Sequence, residues 1–370
     1  MTEKNLSKKR IEGCDNIRVL AMFLVILGHC LSLALTSGGV VSERIDPYKG
    51  LTLAAADTAF RITVIIYSFH MPLFTALSGS VYALSRKEED AFLPYAKLRI
   101  KRLLIPYLMT AVFLWIPVRT IFGAYSHCVS LYDYLKQAFF WNVLLTRNIG
   151  YLWFCPALLE INLLGFLIRK KLWPSRTGQK ALFWAVLLIC SAGSAAFPYN
   201  VLQLREMMRL LIWYCLGIWI MENRQSLARF VNRKALLTSA VLFAALTAGH
   251  ALAAPALSRA EGSARFFAQL TEQGMTYAIA LSGIILFYIL GFLLGHVKSF
   301  APFIPNAFSI YLFSVPFGDL FVFLASRKVS PESLNNLTCW AMMGAKTAVS
   351  LIGAMGLILL LGKLRGRRSI

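Results

Sequence analysis

The sequence predicts an all-α, polytopic integral membrane protein with about ten transmembrane helices and both termini in the cytoplasm. Three observations carry this. Of the 370 residues, 58% are hydrophobic and 15% charged, with mean hydropathy +0.63, whereas soluble domains carry about 25% charged residues. Apolar runs near the roughly 20 residues a bilayer demands recur along the whole chain. Basic clusters (Lys8-Lys9-Arg10, Lys97 to Arg102, Arg169-Lys170-Lys171, Arg224 to Lys234, Arg365 to Arg368) alternate with the runs so that they fall on one side, which the positive-inside rule makes cytoplasmic. This composition excludes a disordered chain, a coiled coil and an ordinary cytosolic enzyme. The net charge of +21 belongs to cytoplasmic loops beside membrane lipid, and no nucleic-acid partner is expected.

The expected spans are Ile17–Ser37, Thr63–Leu84, Leu103–Gly123, Gly150–Ile168, Ala181–Pro198, Met207–Met221, Ala235–Ala254, Thr276–His296, Pro302–Ala325 and Thr338–Leu361. The sixth is short and the fifth ends in a proline. Ten spans leave only short pieces, so residues 1–370 read as one transmembrane domain, with 1–16 and the basic tail 363–370 cytoplasmic. The first run follows Lys8, Lys9 and Arg10 as a signal peptide would, but it is long and has no small-x-small cleavage site. It reads as a retained helix. The gap 124–149 suits an interfacial segment, with Phe139, Phe140 and Trp141 at headgroup level.

Of the seven cysteines, Cys30, Cys155, Cys190 and Cys215 lie in apolar runs and read as small core residues. Cys128 and Cys339 would share the outer side, where a disulfide is one outcome. No Cys/His spacing resembles a metal site, so no metal is expected.

Ionisable groups inside a bilayer are costly and mark sites. Arg18 and His29 are eleven residues apart, which on a helix returns to nearly one face, about 16 Å along the axis. Met22 and Val25 lie on the same stripe. Gly28 permits close approach beside His29. In the second span His70 comes to a similar depth, next to Pro72, which frees a carbonyl. Ser78 and Gly79 follow, and could equally be a small-residue helix contact. Arg99 and Arg102, three apart, can hold a phosphate between them or merely face anionic lipid. Glu160 comes near mid-membrane, and with Asp319 and Lys346 it suggests either an ion network or a catalytic one.

These pieces together resemble acyltransferase family 3 of integral membrane proteins. The matching residues are Asp15 to Arg18, Arg18 to His29, Phe69 to Phe74 with Ser78-Gly79, Arg99 to Arg102 before Leu103 and Pro106, and Leu152-Trp153-Phe154. Ser80 departs from the aromatic or aliphatic residue the family more often has there. The resemblance implies transfer of an acyl group, usually acetyl, from cytosolic acyl-coenzyme A to a hydroxyl or amine of a surface glycan, a lipid-linked sugar or a small molecule. It implies a multi-pass protein of a bacterial cell (inner) membrane. Acyl-coenzyme A would be a donor substrate, held at its phosphates by Arg18, Arg99 and Arg102, with Ser78 and Gly79 beside it. His29 would be the general base and Asp15 would orient Arg18; an acyl-histidine step is the lesser variant. His70, Trp153 and Glu160 would meet the acceptor, and His70 or Ser78 could stabilise an oxyanion. The alternative is a secondary transporter or lipid-carrier flippase, to which ten spans, buried charges and Pro-broken helices are also suited.

Overall fold

The computed structural model describes residues 3–35, 48, 50–85, 91–197, 200–364 and 366. Thr36 and Ser37 of the first span, Pro198 of the fifth, Arg86 and the tail residues Arg365, Arg367 and Arg368 lie outside these residues.

Every regular element among the described residues is helical. We number the helices α1 (Glu3–Cys30), α2 (Ala54–Ser85), α3 (Phe92–Ile121), α4 (131–144), α5 (Gly150–Leu172), α6 (Thr177–Ala196), α7 (Leu204–Glu222), α8 (Arg233–Ser258), α9 (Gly262–Leu293), α10 (Ala307–Ala325) and α11 (Asn336–Leu364). Nine of them, all but α4 and α7, are long and apolar enough to cross a membrane. The expected tenth span is α7. It has 19 residues, but Arg205, Glu206 and Arg209 crowd its first turns. It is an inner helix all the same: Leu210, Tyr214, Cys215, Gly217 and Ile218 are buried.

The bundle forms around α1 and α2. Helix α1 touches α2, α9, α10 and α11, and α2 packs along the whole of α7. Glycines set that last contact. A Cβ on Gly79 would lie 2.0 Å from the Tyr214 carbonyl oxygen, and one on Gly217 would lie 1.8 Å from that of Ala76. The two backbones therefore touch, as small residues allow between membrane helices. Asn16 pins α1 to the end of α9 by donating to the carbonyls of Gly291 (2.9 Å) and Gly295 (2.7 Å). Helix α8 lies at the periphery against α9, its surface almost wholly turned outward, as lipid contact requires. The Cys30–Ser350 and Lys346–Ser32 contacts run α11 antiparallel to α1, so the start of α1 and the end of α11 share one end of the bundle.

Several expectations need correcting. The stretch Lys97 to Arg102 is not a loop: α3 is continuous from Phe92 and passes through π-turns at Ile100–Leu104 and Ala111–Trp115. The first helix stops at Cys30 rather than running on through Leu35. Cys190 is exposed on α6 rather than a core residue, while Cys128 and Cys339 are both free thiols and form no disulfide. Pro72 does not break α2, which runs through it. Residues 131–144 form a short helix with Phe139 and Phe140 exposed, the form expected of an interfacial segment.

Candidate active site

His29 sits in the last turn of α1. Its Nδ1 lies 3.1 Å from the Tyr67 hydroxyl of α2. Gly28 makes this contact possible: a Cβ there would lie 2.6 Å from the Tyr67 ring, so any other residue at 28 would push the ring away. His29 keeps partial exposure although Met22, Val25 and Ile26, one and two turns before it, are 0%, 1% and 2% exposed. The residue is therefore less enclosed than the turns before it.

Aromatic rings surround it. The Tyr151 ring, at the start of α5, is 6.1 Å from His29, and the Tyr67 ring is 5.8 Å away. His70 is 4.9 Å beyond Tyr67. The two histidines thus flank one tyrosine. His70 Nδ1 is 2.9 Å from the Ile66 carbonyl oxygen. A carbonyl only accepts, so Nδ1 carries the hydrogen and Nε2 presents a lone pair. Neutral His70 is therefore an acceptor toward a substrate hydroxyl, and it donates to an oxyanion only when protonated. Tyr151 is held at both ends: its hydroxyl donates to the Leu312 carbonyl (2.7 Å) and its own carbonyl accepts from Tyr311 (2.5 Å).

The chain after His29 leaves the helix yet stays buried, with Leu31, Leu33 and Leu35 at 7%, 3% and 7% exposure. Non-helical backbone at membrane depth needs internal partners. Lys346 of α11 supplies one. Its Nζ donates to the Ser32 carbonyl at 2.8 Å and lies 3.4 Å from Asp319 Oδ1 of α10. Both side chains are essentially inaccessible, at 1% and 0%. A cation beyond a helix C-terminus also suits the helix dipole. The buried charges Asp319 and Lys346 thus form a lock on the segment behind His29. That removes them from the set that made a transporter attractive.

Nearer the shared-terminus end, Arg18 Nη1 meets Asp15 Oδ1 at 2.7 Å, both partly exposed. Arg99 and Arg102 do not converge. The π-turn after Arg99 takes extra residues per turn and rotates Arg102 away: Arg102 is exposed, whereas Arg99 is partly buried with its guanidinium 4.9 Å from the centre of the Tyr95 ring. The Arg99 Nε–H is buried and donates to nothing among the described residues. Tyr95 donates to Asn162 (3.2 Å), and Asn162 donates to Ser78 (3.4 Å) and to the Leu158 carbonyl (2.6 Å). Ser78 is therefore linked toward Arg99 through α5, while its neighbour Gly79 faces the backbone of α7 and packs.

Glu160 lies near the middle of α5, two residues before Asn162 and so on a different face of the helix. It is partly buried and forms no ion pair among the described residues. Arg205 and Arg209 pair with Glu206 (3.6 and 2.5 Å). Trp153 packs edge-on against Phe154; the residue of that motif region beside His29 is Tyr151. Tyr67 and Tyr151 escaped the sequence reading because tyrosines in apolar runs look like packing. The signals were there: Tyr67 precedes His70 by less than one turn, and Tyr151 directly precedes Leu152-Trp153-Phe154. No group of three or more His, Cys, Asp or Glu suited to a metal ion occurs among the described residues.

Two histidines of neighbouring helices thus flank Tyr67, one of them bonded to its hydroxyl, in a bundle of membrane-length apolar helices whose shared-terminus end bears Arg18 and Arg99. A family model described as an acyltransferase domain matches residues 11–369, nearly the whole chain, and the protein belongs to this family, acyltransferase family 3. No curated protein and no solved structure matches the chain.

Proposed function

We propose that this acyltransferase moves an acyl group, acetyl in the simplest case, from cytosolic acyl-coenzyme A to a hydroxyl or amine of a surface glycan, a lipid-linked sugar or a small molecule. The observation that carries this is the contact of His29 with Tyr67, set about 16 Å along α1 from Arg18. In this reading the end bearing both termini faces the cytoplasm of a bacterial cell membrane. Arg99, with its unused buried N–H, takes a phosphate of coenzyme A. Arg18, steadied by Asp15, takes another charge, and Arg102 adds a looser contact from the rim. Ser78 lies along the path of the arm, and Gly79 keeps α2 and α7 close enough to wall it.

The chemistry then rests on His29. Its Nδ1–H donates to the Tyr67 oxygen, which fixes the ring and leaves the Nε2 lone pair free. Nε2 takes the proton of the acceptor hydroxyl as that oxygen forms a bond to the thioester carbonyl carbon. The carbon–sulfur bond breaks, and Nε2–H returns the proton to the departing thiolate. The products are an acyl ester and free coenzyme A thiol. His70 accepts a hydrogen bond from a second acceptor hydroxyl, and Trp153 and Glu160 lie along α5 as further contacts. The protein's own groups complete this proton cycle with no metal.

The test is transfer in proteoliposomes loaded with acetyl-coenzyme A, followed by mass spectrometry of the glycan. A gain of one acetyl group that vanishes in His29→Ala, with the variant still folded, supports the reading. Full transfer by His29→Ala removes His29 as base, and no glycan modification by the wild type removes the acceptor class.

A further inference from the structure

On the far side of Tyr67 from Arg99, a cleft opens between α2, α7 and α9. It holds about 460 Å3 of empty space, counting space open to the surroundings, so it is a groove rather than an enclosed cavity. Tyr67, Ser68, Arg209, Trp213, Thr276 and Tyr277 are among its walls. Tyr67 is the floor that joins it to the chemistry, being 41% exposed and hydrogen-bonded to His29.

The walls are built and fixed. Trp213 and Tyr277 stack with ring centres 5.6 Å apart and 29° between planes. The Ser191 hydroxyl donates to the Arg209 carbonyl at 2.6 Å, so it accepts from the Tyr277 hydroxyl that it also touches. This ties the α9 wall to the α7 wall through α6. At the rim, Arg209 is half exposed, and Arg205 and Arg209 share the single carboxylate of Glu206. One positive charge is left over. Because α7 runs alongside α2 in the same direction, with Leu210 by Ser68 and Gly217 by Ser80, this rim lies at the end of the bundle opposite Arg99.

We infer that this cleft is the acceptor site and that its acceptor is a sugar carrying an anionic group, a carboxylate or a phosphate. The inference rests on the acyl-transfer reading above. The C–H face of a sugar ring fits against Tyr67 and the fixed aromatic pair, which exclude water at no entropic cost of their own. Arg209 offers a planar guanidinium fork for carboxylate or phosphate, the pairing that geometry favours. A sugar seated so brings a ring hydroxyl to Tyr67, whose own hydroxyl bonds His29. Donor and acceptor then enter from opposite ends and meet at the tyrosine.

The test uses purified protein with three probes: methyl glucuronide, a short-chain prenyl phosphoglucose and neutral methyl glucoside. Two readouts are taken, Trp fluorescence on binding, which needs no coenzyme A, and acyl transfer from acetyl-coenzyme A. The expected result is that at least one anionic probe binds and is acylated with a KM at least about tenfold below that of methyl glucoside, a difference of about 1.4 kcal/mol. Which one it is separates a soluble acidic glycan from a lipid-linked phosphate. Arg209→Ala should abolish that preference, and Thr276→Trp, which fills the cleft from an exposed position, should raise the KM of every acceptor while that of acetyl-coenzyme A stays within about twofold. An unchanged preference in Arg209→Ala, or unchanged acceptor KM in Thr276→Trp, overturns the inference, as does equal use of the neutral probe. Binding with the expected preference but no acyl transfer upholds the cleft and sinks the acyl-transfer reading instead.

Discussion

The Tyr67 hydroxyl reaches Nδ1 of His29 at 3.1 Å because residue 28 has no side chain to hold the ring off. One imidazole is thereby oriented by a residue on a neighbouring helix, the arrangement in which a base is itself positioned by a third group. Tyr67→Phe removes only the hydroxyl. The expected loss in kcat is about tenfold to a hundredfold, equivalent to roughly 1–3 kcal/mol of transition-state stabilisation, with thermal stability nearly unchanged. Steady-state kinetics of the variant decide it; a kcat equal to wild type would show that His29 needs no orienting.

Gly28→Ala should behave like Tyr67→Phe even though it leaves both functional groups in place. The new Cβ would lie 2.6 Å from the Tyr67 ring, closer than atoms pack, so the ring must swing and the hydroxyl must leave His29. The double variant Gly28→Ala/Tyr67→Phe should then be no worse than either single change, since both break the same contact. Additive losses would mean that the alanine acts elsewhere.

The Lys346–Asp319 pair is expected to govern both stability and activity, and the two effects can be separated. Lys346→Met breaks the buried Lys346–Asp319 pair and should cost about 3–5 kcal/mol, as breaking buried pairs does. Adding Asp319→Asn removes the charge that Lys346 balanced, so Lys346→Met/Asp319→Asn should recover much of the melting temperature. It should not recover kcat, because the Ser32 carbonyl behind His29 still lacks the Lys346 Nζ that held it at 2.8 Å. Recovery of both together would make the pair purely structural.

How much of this was legible in the sequence follows from what a one-dimensional pattern can carry. Apolar runs of bilayer length gave the spans, and the eleven-residue interval from Arg18 to His29 gave their alignment, because both are local properties of one helix. The lock did not show, because Lys346 and Asp319 sit on separate helices and no spacing rule joins them. The end of α1 at Cys30 did not show either, because Leu31 to Leu35 continue the apolar run; only the cation of a distant helix explains why the backbone unwinds there. Charge misled at Lys97 to Arg102, where basic residues read as a loop although the helix passes straight through them. The divergence of Arg99 and Arg102 depends on a π-turn, which has no signature in residue type.

That divergence separates two arginines that look equivalent in sequence. Arg99 is partly buried over Tyr95 with an unused Nε–H, whereas Arg102 is exposed. A guanidinium out of bulk water binds a phosphate more strongly, because screening is weaker and fewer waters compete. Arg99→Ala should therefore raise the KM for acetyl-coenzyme A by at least about tenfold, while Arg102→Ala raises it by about twofold or less, the size of an exposed ion pair. The second effect should fade in high salt and the first should largely persist. Gly79→Ala provides the contrast at the same mouth: its Cβ would lie 2.0 Å from the Tyr214 carbonyl, so α2 and α7 must part, and the loss should appear as poor folding in size-exclusion chromatography rather than as weaker donor binding. A well-folded Gly79→Ala protein with a raised donor KM would instead put Gly79 in the donor site beside Ser78.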